Sequence, residues 1–489
     1  MNAKPTIGWR IGIALSAVIA MLFAGVYMSI ADDDSNHCAA EDNWNKLACV
    51  DIDWYIGDPS YEHQVSYTIT TAEQLAGVAY LVNSEQYKEQ VGGFEGKIFK
   101  IANDLDLSAH DWVPIGNESN PFKGTIQPDT DNNVLNVKIK GMRIASGKRY
   151  AGLVGYMENG TVGGLEFTDG TIDVSEDGGD IYAGTAVGYM SGRSTVYDVI
   201  NRMPVKAGAS AADAFAGGIV GGIAPGESPA DQGVVSSSVN YADVDADADH
   251  GSAHAGGIVG TVLLSADASL KKVSNYGDVS AASDGSGNAV AGGIAGLSTG
   301  RLAMNDDDTP IGNNGNVEAA SGLQNYAGGL VGRSAGEIKF SAESTNTGTV
   351  TVNAPGSAGA EAGGLIGSIE GPLEDPVFVT NFTNTGNITN TGGTNVYTGG
   401  LAGSIHAAFH WSEPFTNAVE ITASGASEVH TGGAVGKATA EIRFLSEVQN
   451  AGAITVNGAA AGQPQEAYTG GLVGSTTDRL FFENEEDLA

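Results

Sequence analysis

After residue 149 the chain alternates apolar and polar positions with a period of two, in short runs that return at nearly even intervals. One set of runs starts on Ile172, Val205, Val244, Val279, Val317, Val350, Ile388, Ile421 and Ile454, with Val174, Ala207, Ala246, Ala281, Ala319, Val352, Asn390, Ala423 and Val456 two places on. Between each pair stands an outward residue: Asp173, Lys206, Asp245, Ser280 and Glu318, then a threonine column at 351, 389, 422 and 455. This alternation predicts strands with one face inside. A second set of runs carries a glycine phrase, from YAGLVG and AGTAVG to AGGIVG and TGGLVG, closing on Gly155, Gly188, Gly221, Gly260, Gly296, Gly332, Gly367, Gly403, Gly436 and Gly474. Its steps run from 33 to 39 residues. Units of that length bury their apolar face only by stacking, so the expected fold is all-β: a parallel β-helix or β-solenoid of about ten ~35-residue coils, with a small N-terminal α/β capping region.

Between the glycine phrases lies a second landmark, N-x-G-x-[VI], at Asn275, Asn313, Asn346, Asn384 and Asn450, with Asn201, Asn240 and Asn417 at equivalent places and Thr168 as the one substitute. Asparagine at one turn of every coil predicts a ladder in which each side-chain amide bonds the next, and asparagine tolerates the left-handed backbone of a sharp corner. The glycine phrase predicts another strand, whose paired glycines admit a close backbone approach. Just ahead of it runs a mostly aromatic or histidine column: Tyr182, Phe215, His254, Val290, Tyr326, Glu361, Tyr397, His430 and Tyr468. Two readings stay open for its rings at Tyr182, Phe215, Tyr326, Tyr397 and Tyr468: a ladder that stabilises the sheet, or a stripe on which sugars dock flat. From each Asn to the next closing glycine the spacing holds at 19 to 21 residues until the final copy, whereas from glycine to Asn it ranges from 13 to 19. Insertions collect on one side of the solenoid, at 224–238, 301–310 and 371–375, where repeat proteins carry binding loops.

The repeats occupy 149–474, and four other segments surround them. Residues 1–31 read as a signal peptide cleaved after Ala31 or as an uncleaved anchor, because Lys4 and Arg10 precede an apolar stretch at 11–30 and acidic residues follow it. Residues 32–54 form an acidic linker holding Cys38 and Cys49, the two cysteines of the chain, for which a local disulfide is expected outside the cytoplasm. Residues 55–148 form the cap: Thr70, Thr71, Glu73 and Gln74 start a short amphipathic helix with Leu75, Val78, Ala79 and Val82 inside, 98–107 reads as a strand and 112–116 as a turn. Such a helix would cover the otherwise unpaired strand edges at the end of the stack. Residues 475–489 read as an acidic tail.

Charge narrows the partners. With 58 acidic against 23 basic residues the formal net charge is −35, which repels nucleic acid and anionic membranes. Membrane contact is therefore expected only through 11–30, if that segment is retained. Asp243, Asp245, Asp247 and Asp249 offer either a solvated acidic edge or a calcium site, and no other cofactor is expected. The chain contains no H-E-x-x-H.

The glycine phrase, together with YTITTAEQLAGVAYLVN, FEGKIFKIANDLDLS, WVPIG and PFKGTI upstream, resembles the GLUG-motif family of bacterial surface adhesins and some large secreted peptidases. The resemblance covers roughly residues 55–474; at Gln127-Pro128-Asp129 the family tends to show Asp-Gly. It implies an extracellular or surface-exposed repeat protein and supplies no active site. The leading expectation is a non-enzymatic, adhesin-like β-solenoid that meets a cell-surface, matrix or glycan ligand through its loops. A polysaccharide lyase or hydrolase using carboxylates on neighbouring coils, such as Asp173 and Asp245, is the alternative. Ice binding through Thr-x-Thr rows is a third reading, carried by Thr349 and Thr351, whose equivalents on the next coils are Asn387 with Thr389 and Glu420 with Thr422.

Overall fold

The computed structural model describes residues 38–482 except 40–41, 57–62, 146, 285, 305–309, 342, 355–358, 372, 374–376, 380 and 458–465, so the expected signal or anchor at 1–31 lies outside the described residues. Each coil contributes one strand to each of five sheets. In the coil beginning at Thr161 these are Thr161–Gly163, Leu165–Thr168, Thr171–Glu176, Ile181–Gly184 and Val187–Ser191. The sheets hold 13, 9, 10, 10 and 10 strands, and a two-stranded sheet follows the nine-stranded one. The result is a parallel β-solenoid of about eleven turns. Partners lie one repeat apart, as in Ile172↔Val205, Val205↔Val244 and Val244↔Val279. The period-two reading is met in detail: Ile172 and Val174 are buried while Asp173 is exposed. The interior of this coil is filled by Val162, Leu165, Phe167, Ile181, Ala183, Val187 and Met190, all at most 1% exposed.

The asparagine ladder is present. Asn201 Nδ2 donates to Asn240 Oδ1 at 2.7 Å, and the rungs continue through Asn275, Asn313, Asn346 and Asn384 at 2.8 Å each. The same Nδ2 closes the bend by donating to the carbonyl two residues on, Gly277 O for Asn275 and Gly348 O for Asn346. These asparagines end strands and point inward; among the described residues none has the left-handed backbone that a corner position implied. Left-handed asparagines occur elsewhere, at Asn133, Asn159 and Asn381. The ladder stops after Asn384 and resumes from Asn417 to Asn450 at 2.7 Å, where the two-stranded sheet takes over; Asn417 Oδ1 is buried without a partner.

The glycine phrase does more than form one strand. It spans two, Ile181–Gly184 and Val187–Ser191 in the second copy, with the bend between them. Its second glycine faces the ladder across the coil. A Cβ at Gly218 would stand 2.6 Å from Asn240 Cγ, and one at Gly329 would stand 2.5 Å from Asn346 Cγ. The two sequence landmarks are thus opposite walls of one narrow passage. A bulky residue on either wall would push the walls apart.

At the N-terminal end, Thr71 Oγ1 accepts from Gln74 N at 3.3 Å and Gln74 Oε1 accepts from Thr70 N at 2.9 Å, the expected cap of the helix Ala72–Asn83. Leu75, Val78, Ala79 and Val82 face inward as expected. The cap also supplies the first strands of the 13-stranded sheet, Ser66–Ile69, Ile98–Ile101 and Thr125–Pro128. The strand expected over 98–107 is two, Ile98–Ile101 and Leu105–Asp106, because the chain turns between sheets. Two boundaries differ from the sequence reading. Residues 42–56 are packed onto the cap, with Trp44, Cys49, Ile52 and Tyr55 buried, so apolar anchors outweigh the acidic composition there. Past Gly474, Val473–Thr476 and Leu480–Phe482 still pair with the preceding coil, because Leu480 and Phe482 continue the apolar column of Ile442 and Phe444. Cys38 and Cys49 form the expected disulfide, with Cα atoms 4.9 Å apart.

Candidate functional site

The aromatic column is real and in register: Tyr150, Tyr182, Phe215, His254, Val290, Tyr326, Glu361, Tyr397, His430 and Tyr468 stand on successive strands of one sheet. The rings stack, Tyr182 on Phe215 at 4.8 Å, Phe215 on His254 at 4.8 Å and His430 on Tyr468 at 4.6 Å. They do not form an open platform. Tyr182, Phe215 and Tyr326 are buried in a seam separate from the main core; Tyr397 is half-buried, and Tyr468 is exposed.

What covers the seam is a second column that the sequence reading did not single out. In several coils the residue after the closing glycine leans onto the rings: Tyr189 meets Tyr182 at 4.9 Å, the Arg333 guanidinium sits 5.0 Å from the Tyr326 centroid, and Lys437 Nζ sits 4.6 Å from that of Tyr397. The small residues of the phrase make this possible, since a Cβ at Gly184 would already stand 2.5 Å from Gly221 N. Tyr189, Leu297, Arg333 and Lys437 all follow a closing glycine, so position alone would have found them.

Several seam groups titrate abnormally. His254, fully enclosed, is pushed down to about 3 by burial, with the nearby Arg333 charge adding to the effect, so it is neutral at physiological pH; its Nδ1 has no partner. Glu361 is pushed up to about 7 by burial, against the hydrogen bonds of Ser404 and Ser368. Burial also raises Tyr182, Tyr189 and Tyr326. Perturbed groups of this kind mark catalytic sites where they line a cleft. Glu361 and His254 instead are 7% and 3% exposed. Near the C-terminal end His430 Nδ1 lies 2.5 Å from Ser475 Oγ and Nε2 lies 3.2 Å from Glu428 Oε2.

The aspartate quartet is spread along one strand edge. Asp245 and Asp247 face outward from Val244–Ala248, as expected, and Lys206 Nζ pairs with Asp247 at 2.6 Å. Burial, then the neighbouring Asp247 charge, raises the Asp245 carboxyl. Asp243 Oδ1 instead accepts from the Asp278 backbone at 3.1 Å. Lys206 stands in register between Asp173 and Asp245. Among the described residues, the one trio of ligand atoms close enough to share an ion is Cys38, Cys49 and His110, within 4.8 Å. Its sulfurs are joined to each other, and a disulfide offers no thiolate to a metal.

No family model matches this chain, and no curated protein matches it. Among solved structures the chain is similar to a putative immunoglobulin A1 protease from Bacteroides ovatus, at 14% identity and a TM-score of 0.30, over 86% of this chain and 85% of that one. A likeness that weak carries no argument about either chain's activity.

Proposed function

We propose that this chain is an exported, non-enzymatic, adhesin-like scaffold that engages a cell-surface, matrix or glycan ligand through the corners flanking the 13-stranded sheet. The observation that carries the reading is where the coil departs from its repeat. Between the strands Val220–Ala224 and Gly233–Ser236 the chain makes an eight-residue excursion at 225–232, whereas two coils later Ala295–Ser298 connects to Arg301–Met304 through two residues. Pro225 and Glu227 to Ala230 are exposed. The loop is braced from below: Asp231 accepts from Arg193 Nε at 2.8 Å and from Ser228 N at 3.1 Å. A braced, exposed loop on a rigid rod loses little entropy on binding. The apolar stretch at 11–30, the disulfide and the resemblance of the repeat phrase to GLUG adhesins support the exported location. The polysaccharide-enzyme reading is weakened because Lys206 separates the only carboxylates proposed for it. Shortening 225–232 to a two-residue link should leave the melting temperature nearly unchanged and reduce attachment of the labelled protein to cultured cells. Full attachment by the shortened protein would sink the loop-face assignment.

A further inference from the structure

We propose that the junction between the cap and the first coil is a binding site for a neutral oligosaccharide; this rests on the adhesin-like reading above and gives that reading a ligand class. Two clefts of about 410 and 430 Å³ lie side by side there, and Glu118 and Ser119 wall both. Each is large enough for a small-ligand site, and a linear ligand crossing the 118–119 loop would occupy the two together.

The lining chemistry selects the ligand. Tyr150, half-buried, lines the first cleft and stands on the terminal strand of its sheet, so the aromatic column ends on this ring, which stacks on Tyr182 at 5.8 Å. An aromatic face takes the C–H face of a pyranose. Beside it, the Arg149 guanidinium carbon lies 5.3 Å from the ring centroid and Nη1 lies 3.5 Å from Glu118 Oε2. Planar guanidinium, carboxylate and carboxamide groups each reach two neighbouring hydroxyls at once, the pattern a sugar ring presents. In the second cleft Asn120 is 6% exposed; its Nδ2 donates to Glu85 Oε1 at 2.9 Å, while Oδ1 has no hydrogen bond. A buried acceptor left unpaired destabilises the fold, and a hydroxyl donated by a ligand would remove that penalty. The loop is preorganised, because Asn117 Oδ1 accepts from both Ser119 N at 3.0 Å and Asn120 N at 3.1 Å. The lining charges balance: Lys123 pairs with Glu158 at 3.1 Å, Arg149 with Glu118 and Lys88 with Glu85, and the two other lining charges, Lys148 and Glu89, are opposite in sign, which argues for an uncharged ligand over an anion or a cation.

The full chain is applied to an array of neutral glucose, galactose, mannose and N-acetylglucosamine oligosaccharides, and the best retained sugar is titrated calorimetrically. Tyr150→Ala, Asn120→Ala and Glu118→Ala are expected to weaken it by at least about tenfold. Glu118 is the control against misfolding, since its side chain is 67% exposed. Failure of the array to retain any neutral sugar, or retention of acidic sugars alone, overturns the proposal. So does undiminished binding by Glu118→Ala and Asn120→Ala. If cell attachment survives in those cases the adhesin-like reading stands without this site; if wild-type protein also fails to attach to cells, both readings fall.

Discussion

The asparagine ladder and the aromatic column climb the same coils, and both are largely buried, yet from Asn201 to Asn450 one column repeats a single residue while the other runs through Tyr, Phe, His, Val and Glu. The difference lies in what each position must satisfy. A ladder rung donates to its own bend and to the next rung, as Asn346 does to Gly348 O and Asn384 Oδ1, and only a carboxamide of that length both donates and accepts there. A seam position fills volume, so any group of suitable size is tolerated if its polar atoms find partners, as Glu361 finds in Ser404 and Ser368. Directional bonds dictate identity; packing dictates only size.

The sharpest way to break the comparison is to crowd the wall facing the ladder. A Cβ at Gly329 would overlap the Gly364 carbonyl oxygen and stand 2.5 Å from Asn346 Cγ. Gly329→Val is therefore expected to cost more than about 3 kcal/mol in chemical denaturation, at the upper end for overpacking. Removing rungs comes next. Asn346→Ala, fully buried, should cost about 2–3 kcal/mol because two bonds go and Asn313 loses its acceptor, whereas Asn450→Ala, on a half-exposed coil, should cost under about 1 kcal/mol. Equal losses at the two sites would show that burial does not grade the ladder.

The smallest effect belongs to the seam and depends on pH. Glu361 in the folded chain titrates near 7, against 4.5 for the ordinary group. The folded state thus holds the proton more tightly. Stability from this group is fully present below about pH 4.5, declines as pH rises toward 7, and above that leaves a constant penalty for a buried carboxylate. Glu361→Gln keeps the shape without the charge, so it should raise stability at pH 8 by about 1–2 kcal/mol and do little at pH 4. An identical pH profile for wild type and variant would mean that the Glu361 carboxyl titrates alike in the folded and unfolded chain, its burial offset by Arg333 or by water.

Much of this was legible beforehand from Ile172, Val205, Val244 and their equivalents, because a period of two over short runs, repeated every 33 to 39 residues, has few other physical realisations. The helix at 72–83 was legible for the same local reason: Thr71 and Gln74 close its first turn among themselves. The candidate sites were less so. Tyr182 and Tyr326 look the same in sequence whether a sugar or Tyr189 and Arg333 lie against them. The cleft at Tyr150 draws on residues from 45 to 150 that no local pattern connects.

By itself the sequence determined the repeat, the parallel stacking, the inward face of each strand and the presence of an asparagine ladder. Those follow from periodicity, and a stack of like units turns each local preference into a column. Only the tertiary structure decided that the second glycine of the phrase, as at Gly218 and Gly329, and the asparagine are opposite walls of one passage, that the glycine phrase folds over its own aromatic column, that residues 42–56 belong to the packed body, and that 480–482 pair with the last full coil. Each of these depends on which surfaces meet across the coil or at its ends. Burial between segments distant in the chain is set by three-dimensional closure, and no window of the sequence contains it.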